Sequence, residues 1–336
     1  MIARVLLLAG GLRPSPLASA CGASVLALPV GTEGTLLAHW AAVFRDVLVR
    51  DDAEARVCIC VRPDQVEGLR TLVASLLEPS RPPITTLPSA KATPEASGVP
   101  LSGHSFELFP DQAAYRGPAG VVRDATRDLP KDANVLIIEA SRLALTPIRP
   151  LIEAHFAARS DATVGINPDA SPAGLFVLRV EALDQVSDVG FVDLKEQFLP
   201  KLVAAGKDVR VFLLAPPAMG AFRTRPEFLA AVLSSEQATS DHPVARAAAP
   251  GPVALALDAF VDPTAYVAHS VIGPGARVES GAVVVRTIVM ARAVVPAGAS
   301  ISDAVVTLAG VIKDEGSAQE RQRGRQGDSI VVGRAQ

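Results

Sequence analysis

The chain has 336 residues, of which 49% are hydrophobic and only 4% aromatic, and its formal net charge is −3. This length and apolar content allow two globular domains and exclude general disorder. The weak negative charge argues against a nucleic-acid partner, because no basic stretch is interleaved with aromatic residues. No apolar run approaches the roughly 18 residues of a membrane span, and no charged region precedes the first apolar run. We therefore expect a cytoplasmic protein without membrane association.

Residues 1–236 alternate between short apolar runs and longer amphipathic segments. The strand candidates are RVLLLAG, ARVCICV, NVLIIEA, ATVGIN, GLFVLR and DVRVFLL. In the first long helix candidate, apolar residues follow helical spacing at Leu37, Trp40, Phe44 and Val47. Apolar strands joined by helices predict a mostly parallel sheet with helices on both faces. Cys58 and Cys60 lie two apart in one strand, so we expect them to pack on one face rather than bind a metal.

Three segments have a different composition from this α/β part. Residues 78–111 are rich in Pro and Ser and predict an irregular surface insertion. Residues 237–252 form a predicted linker, and 313–336 a polar, frayed tail.

Residues 253–312 repeat with a period near six. The aliphatic residues that mark the period are Val261, Val267, Val278, Val284, Val295 and Ile301. This pattern predicts a parallel β-helix in which each coil takes three hexads. Two to three coils are too few to stand alone, so we expect docking on the preceding domain or on another subunit. A homo-oligomer through this region is the corresponding partner prediction.

Two glycine-containing stretches indicate a nucleotide site. The first, VLLLAGGLRPSPL at 5–17, ends a strand in adjacent glycines, although the GxGxxG and GxxxxGK[ST] phosphate patterns are absent. The second places Gly117, Pro118, Ala119 and Gly120 directly before a helix, where free amides attract a phosphate or a base. The strand NVLIIEAS then ends in polar residues, where ligands bind in open parallel sheets.

These stretches resemble the sugar-1-phosphate nucleotidyltransferases, also called NDP-sugar pyrophosphorylases. The start is similar to that family's LAGGxGTRLxPLTxxxPKPLxPV signature, and RGPAGVVRDA to its Gly-Thr-Ala-Gly base-contacting loop. PAGLFVLR and DLKEQFLPKL resemble later core segments, and several members carry a C-terminal left-handed β-helix. The resemblance implies a Rossmann-like, GT-A-like α/β fold with a mixed sheet, followed by a left-handed β-helix. It also implies a nucleotide or nucleotide-sugar ligand in NDP-sugar metabolism.

Carried over by position, the resemblance implies a site from which several charges are missing. The implied nucleotide-binding residues are Leu8, Ala9, Gly10, Gly11, Gly117, Pro118, Ala119 and Gly120, and the implied catalytic residue is Arg13. The signature lysine falls on Ala23, and the loop before Arg13 is two residues short. The aspartate that would hold Mg²⁺ falls on Ser141, with Glu139 on the same strand face as its only replacement. The second metal aspartate is absent from GAFRTRPEFL, and the Glu-Lys-Pro sugar segment is missing.

Three functions stay open on these residues. The first is a non-catalytic module that binds a nucleotide or nucleotide-sugar, alone or with an active paralogous subunit. The second is an active, Mg²⁺-dependent transferase that joins a nucleotidyl group to a sugar 1-phosphate, with Arg13, Glu139 and Arg223 as replacement groups. The third is acyl transfer by a hexapeptide-repeat protein, for which His269 is the candidate. Losing one preorganised charge costs about 3 to 4 kcal/mol of barrier, so several losses favour the first.

The stretch VDLKEQ raises a separate question about a later helix. Asp193, Lys195 and Glu196 could reach the cleft of the α/β part. We expect instead a structural role, in which Asp193 caps the helix and Glu196 completes a capping box.

Overall fold

The computed structural model describes residues 1–10, 15–48, 56–77, 106–111, 116–216, 218–236 and 251–313. Most of the predicted insertion, nearly all of the linker and the tail lie outside these residues, as do Gly11 and Arg13. The described end of the insertion is not irregular as predicted, because Phe106–Pro110 is a strand of the main sheet. The chain divides into two compact units. The α/β unit comprises Met1–Pro14 and Leu37–Gly220, and the β-coil unit comprises Ser15–Leu36 and Ala221–Gln336. By contacts, the segment 15–36 and the helix before the predicted linker therefore group with the C-terminal strands.

The α/β unit contains a seven-stranded mixed sheet. Its strands are β1 (Ile2–Leu8), β2 (Arg56–Val61), β3 (Phe106–Pro110), β4 (Asn134–Glu139), β6 (Ala162–Ile166), β7 (Pro172–Arg179) and β8 (Val209–Leu213), with β5 (Arg142–Ala144) pairing β9 (Met219–Ala221) separately. The order in the sheet is β3-β2-β1-β4-β7-β6-β8. All its pairs are parallel except those of β7, which is antiparallel to β4 and β6. The predicted mixed, mostly parallel sheet is confirmed.

The central strands are mostly apolar, and successive residues of β1 and β4 are buried on both faces of the sheet. Leu6 of β1 is fully buried and shares one core cluster with Cys58 and Cys60. Both thiols are free and buried on the same strand face, as predicted. The hydrogen bond that Cys60 donates to Cys58, together with burial, raises the pKa of Cys60, and the two thiols pack as small apolar side chains.

The helices of the α/β unit follow the amphipathic segments. They are α2 (Leu36–Leu48), α3 (Val66–Leu77), α4 (Gly117–Asp124), α5 (Arg149–Ala158) and α6 (Leu199–Ala204). The four spaced residues of the α2 prediction, Leu37, Trp40, Phe44 and Val47, are all buried. Among the described residues, no helix combines the length and apolar character needed to cross a membrane.

The predicted helix at DLKEQFLPKL has two parts and a different cap. A π-helical turn at Leu194–Phe198 leads into α6. Asp193 is the N-cap as predicted, since its Oδ1 accepts the amides of Lys195 and Glu196. The predicted partner Glu196 is wrong, because the Oε1 of Gln197 accepts the Asp193 amide at 2.8 Å. The wider π turn brings the side chain four residues after the cap, rather than three, back to it.

The β-coil unit stacks short parallel strands in three sheets. The strands are β10 (Val253–Leu255), β11 (Phe260–Val261), β12 (Tyr266–Ala268), β13 (Ser270–Ile272), β14 (Arg277–Val278), β15 (Val283–Val285), β16 (Ile288–Val289), β17 (Val294–Val295), β18 (Ser300–Ser302), β19 (Ala304–Thr307) and β20 (Gly310–Lys313). The sheets are β10-β13-β16-β19-β20, β11-β14-β17 and β12-β15-β18, and only β20 is antiparallel. This arrangement is compatible with the predicted β-helix.

The register of these sheets shows a coil of 17 residues instead of three full hexads. Val253 pairs with Ser270, Val271 with Ile288 and Ile288 with Val305, each 17 positions apart. The coil is one residue short because one corner is a tight turn at a residue with positive φ. The stacked corner residues are His269 (φ 50°), Arg286 (φ 47°) and Asp303 (φ 55°).

One sheet of the β-coil unit is covered by helices. Helix α7 (Arg225–Glu236) contacts β10 and β13, and helix α1 (Pro16–Cys21) contacts β19 and β20. Val271, Ile288 and Val305, the residues next to the inward-facing ones, are accordingly fully buried. The other two sheets leave apolar side chains exposed on their outer faces, namely Phe260, Tyr266, Val283 and Val294.

Candidate functional site

The carboxyl ends of β1 and β4 lie side by side at the point where the strand order reverses. β1 is parallel to β2 on one side and to β4 on the other. The Ala140 amide donates to the Leu8 carbonyl at 3.0 Å. Such a switch point is where open α/β sheets bind ligands. The structure thus brings together two sequence-predicted groups, Leu8–Gly10 and Glu139–Ser141.

At the β1 end, the glycine turn already uses its amides within the sheet. The Ala9 and Gly10 amides both donate to the Cys60 carbonyl at 2.9 Å. A Cβ on Gly10 would lie 3.0 Å from the Arg62 nitrogen. Gly10 therefore allows close approach of the backbone after β2, and these two amides are not available to a phosphate.

The predicted base-contacting residues 117–120 form the first turn of α4. Gly117 has φ +71°, and a Cβ there would lie 2.6 Å from the Val192 carbonyl oxygen. That carbonyl accepts the Ala119 amide at 3.1 Å, while the Val192 amide donates to the Arg116 carbonyl at 3.0 Å. The small residues of this turn therefore admit the backbone at Val192.

Arg116 links residues 187–192 to helix α4 through its side-chain hydrogen bonds. Its guanidinium is buried, with Nε 3.0 Å from Asp124 Oδ2 and Nη1 donating to the Ser187 carbonyl. Arg123 pairs with Asp188 at 2.7 Å on the next turn of the helix. These contacts fix the chain from 187 to 192, immediately before the turn that carries Lys195.

At the β4 end, one carboxylate is held between two cations. Glu139 Oε1 lies 2.6 Å from Lys195 Nζ, and its Oε2 lies 2.9 Å from Arg142 Nη2 and 3.2 Å from Arg142 Nε. We call Glu139, Arg142 and Lys195 the strand-end cluster. Its formal charge is one positive, and its side chains are between 12% and 34% exposed.

A glycine in β7 makes room for the strand-end cluster. Gly174 has φ +72°, and a Cβ there would lie 2.8 Å from both Arg142 Nε and Glu139 Oε2. A side chain at this position would displace the ion pair. The residue is therefore required both for its backbone conformation and for the space beside it.

The two cations keep Glu139 ionised despite its burial. Burial alone would raise the pKa of this carboxyl, but the charges and hydrogen bonds of Lys195 and Arg142 outweigh it and lower the pKa. Proton exchange at Glu139 is therefore disfavoured near neutral pH.

The residues at this strand end do not fit Mg²⁺. Both oxygens of Glu139 are engaged by cations, and Ser141 offers only a neutral hydroxyl, whereas hard divalent ions favour several carboxylates. Within the described ranges, no group of three His, Cys, Asp or Glu side chains could hold a metal ion.

The remaining candidates lie in the β-coil unit and have structural contacts there. The Arg223 and Thr224 amides donate to Glu227 Oε2, which caps α7. His269 is exposed at a coil corner. Its ring lies close to Gly251, since a Cβ on that glycine would lie 2.6 Å from His269 Nε2. Among the described residues, no hydrogen-bond partner orients the His269 ring for base catalysis.

Sequence reasoning named Lys195 but assigned it only to a capped helix. Its contact with Glu139 joins segments far apart in the chain, so no local pattern shows it. The signal that could have indicated Lys195 is the placement of a lysine in the first turn of a helix, two residues after the N-cap Asp193.

Comparisons with known proteins identify a fold but no family. No protein-family model matches the chain, and no curated protein matches it. Among solved structures, it is similar to a Bacillus anthracis protein provisionally assigned as a glucose-1-phosphate thymidylyltransferase, crystallised in complex with a sucrose. The two are 12% identical with a TM-score of 0.50, and the match covers 71% of this chain and 96% of that one. The likeness shows the nucleotidyltransferase fold and confirms the predicted fold class.

Proposed function

We propose that this protein is a divergent nucleotidyltransferase-fold protein that binds a nucleotide or nucleotide-sugar without transferring a nucleotidyl group. The observation that carries the proposal is the strand-end cluster. It occupies the switch point of the sheet, where a ligand is expected, yet its only carboxylate is neutralised by two cations.

The chemistry of nucleotidyl transfer explains why this cluster argues for binding rather than turnover. An oxygen of a sugar 1-phosphate attacks the α-phosphorus of a nucleoside triphosphate in line, and pyrophosphate leaves. Charge then grows on the phosphate oxygens and must be met by preorganised cations, usually Mg²⁺ held by carboxylates. Here Ala23 and Ser141 stand where the resemblance implies a lysine and a metal aspartate.

A paired binding and turnover screen tests the proposal. The full chain is mixed with each of five nucleoside triphosphates, Mg²⁺ and a set of sugar 1-phosphates, and thermal shift and pyrophosphate release are recorded together. We expect a nucleotide-dependent rise in the unfolding midpoint without pyrophosphate release. Release would favour the active transferase instead, and a flat response in both readouts would contradict nucleotide binding.

We further propose that the protein forms a homo-oligomer through the uncovered faces of the β-coil unit. Tyr266 and Val283 pair across neighbouring coils of one sheet, and Phe260 lies under the Arg277 guanidinium in another. Repeated exposed apolar side chains on a flat sheet face are typical of an interface. Light scattering on the wild type and on Tyr266→Ser tests this, and a monomeric wild type would contradict it.

A further inference from the structure

The strand-end cluster has more cationic hydrogen-bond donors than its carboxylate uses. Lys195 carries three N–H donors and Arg142 five. One Lys195 donor and two Arg142 donors are directed at Glu139. Within the part of the chain that the structure describes, the other donors have no partner. An anion is the group that such a surplus would bind.

The location of the surplus indicates which anion fits. The cluster lies at the carboxyl end of β4, beside the end of β1 and at the switch point of the sheet. Lys195 also lies three residues after Val192, whose backbone is held against the first turn of α4. A ligand bound at the switch point would therefore place its charged part against Lys195 and Arg142. A nucleotide has this form, because its phosphate groups are an anionic end on a larger neutral group.

The amides that bind phosphates in many α/β proteins are not available to replace this contact. The Ala9 and Gly10 amides are used by Cys60, and the Ala119 amide by Val192. Positive charge at the described strand ends is thus supplied by side chains. The side chains of the strand-end cluster are only 12% to 34% exposed. A partly desolvated cation attracts an anion more strongly than an exposed one.

We infer that Lys195 and Arg142 hold the di- or triphosphate of a nucleotide directly, in the role that a bound divalent cation has in metal-dependent sites. This inference rests on the proposed function and adds the ligand group, the residues and the independence from metal. Glu139 is a positioning residue in this account. It orients both cations, and it also opposes the ligand through its own negative charge.

Substituting Glu139 separates two hypotheses, because they predict opposite changes in triphosphate affinity. If Glu139 held a metal ion, Glu139→Gln would weaken triphosphate binding and the loss would require Mg²⁺. If it only restrains two phosphate-binding cations, Glu139→Gln raises the local charge by one. We then expect roughly fivefold tighter triphosphate binding in the absence of metal.

The experiment is isothermal titration of the full chain with five nucleoside triphosphates and with inorganic pyrophosphate, each in EDTA and in Mg²⁺. We expect at least one triphosphate to bind in EDTA with an affinity within about threefold of that in Mg²⁺. Lys195→Gln should weaken this binding about tenfold, the loss of one charged hydrogen bond. Lys201→Gln is the matched control, because Lys201 is an exposed lysine on the adjoining α6 and its substitution removes the same charge.

The outcomes separate this inference from the proposed function. Binding that requires Mg²⁺, or binding in EDTA that Lys195→Gln leaves unchanged, overturns the inference while nucleotide binding stands. Weaker binding by Glu139→Gln that appears only in Mg²⁺ also overturns it. No binding of any triphosphate in either condition overturns the proposed function and the inference together. Circular dichroism of each variant verifies folding, and Lys195→Gln is the safer variant because Lys195 is the most exposed member of the cluster.

Discussion

In each of the two units, two cations share one carboxylate, and the two clusters differ in where they lie in the fold. In the strand-end cluster, Lys195 and Arg142 share Glu139, and the described residues leave donors of both cations without partners. In the β-coil unit, Arg225 and Arg286 share Asp303, and Arg225 also donates to the Arg286 carbonyl. Arg225 is only 4% exposed. The first cluster lies at an open sheet end, and the second joins helix α7 to two stacked coil corners.

The comparison shows that charge composition alone does not identify a binding site. Donors without a described partner occur in both clusters, since Arg286 directs only its Nε and Nη2 at Asp303. The distinguishing feature is the position of the strand-end cluster at a strand switch point. If one cluster is structural and the other binds a ligand, substitutions in the first should change stability and substitutions in the second should change nucleotide affinity.

The largest expected effect is on stability, from removing Arg225, the buried cation of the cluster formed with Arg286 and Asp303. Arg225→Met leaves the Arg286 carbonyl and Asp303 without this partner, so we expect the free energy of unfolding to fall by about 3 kcal/mol. Urea denaturation measures the loss. Nucleotide affinity in the folded protein should stay unchanged. A loss well under 1 kcal/mol would show that Asp303 and Arg286 suffice without Arg225.

Acid should destabilise the α/β unit through a buried histidine outside the strand-end cluster. His155 Nδ1 lies 2.9 Å from Thr163 Oγ1, and its Nε2 lies 3.0 Å from Asn134 Oδ1. Burial and the charge of Arg179 lower the pKa of His155 from 6.5 to about 4. Between these values the unfolded chain binds a proton that the folded chain does not. The contribution of His155 to the free energy of unfolding is therefore complete above pH 6.5 and is lost as the pH falls towards 4.

The size of this loss follows from the pKa shift. It should approach about 3 kcal/mol near pH 4. Denaturant unfolding at pH 7 and pH 4.5, for the wild type and His155→Gln, measures it. An equal pH dependence in both proteins would show that His155 is not its source.

A smaller effect is expected from filling the space beside the strand-end cluster. Gly174→Ala places a methyl group against Arg142 and Glu139 at a positive φ, so we expect about 2 kcal/mol of destabilisation together with weaker nucleotide binding. Gly190→Ala is the matched control, because Gly190 also has positive φ, at +86°, but a Cβ there meets no atom within 4 Å. Equal nucleotide affinities in the two variants would show that the space beside Gly174 plays no part in nucleotide binding.

The fold was largely predictable from the sequence because its signals are local. Fully apolar strands and helical spacing at Trp40 and Phe44 are set by burial, and the hexads by the inward side chains of each coil. The prediction of three full hexads missed the coil length, although Val261, Val278 and Val295 recur every 17 residues in the sequence. The short corner at positive φ has no glycine to mark it, because Arg286 or Asp303 occupies it.

The candidate site was predictable in part. Glu139 follows from strand periodicity and from its position at a strand end. Lys195 does not, because its partner is distant in sequence and a π turn decides where its side chain points. Gly174 gave no signal, as a glycine in an apolar strand is more often a packing feature. Gly11 and Arg13 lie outside the described residues, and their roles stay predictions.

The most direct test of the account compares one cation from each cluster. Lys195→Gln and Arg286→Gln each remove one partly exposed cation, 34% and 54% exposed, from a pair that shares a carboxylate. The measurement is the dissociation constant of the tightest nucleoside triphosphate, determined by calorimetry in EDTA for both variants and the wild type. The account predicts a loss of about tenfold for Lys195→Gln and no more than about twofold for Arg286→Gln. Equal losses in both variants, or an unchanged affinity in Lys195→Gln, would contradict it.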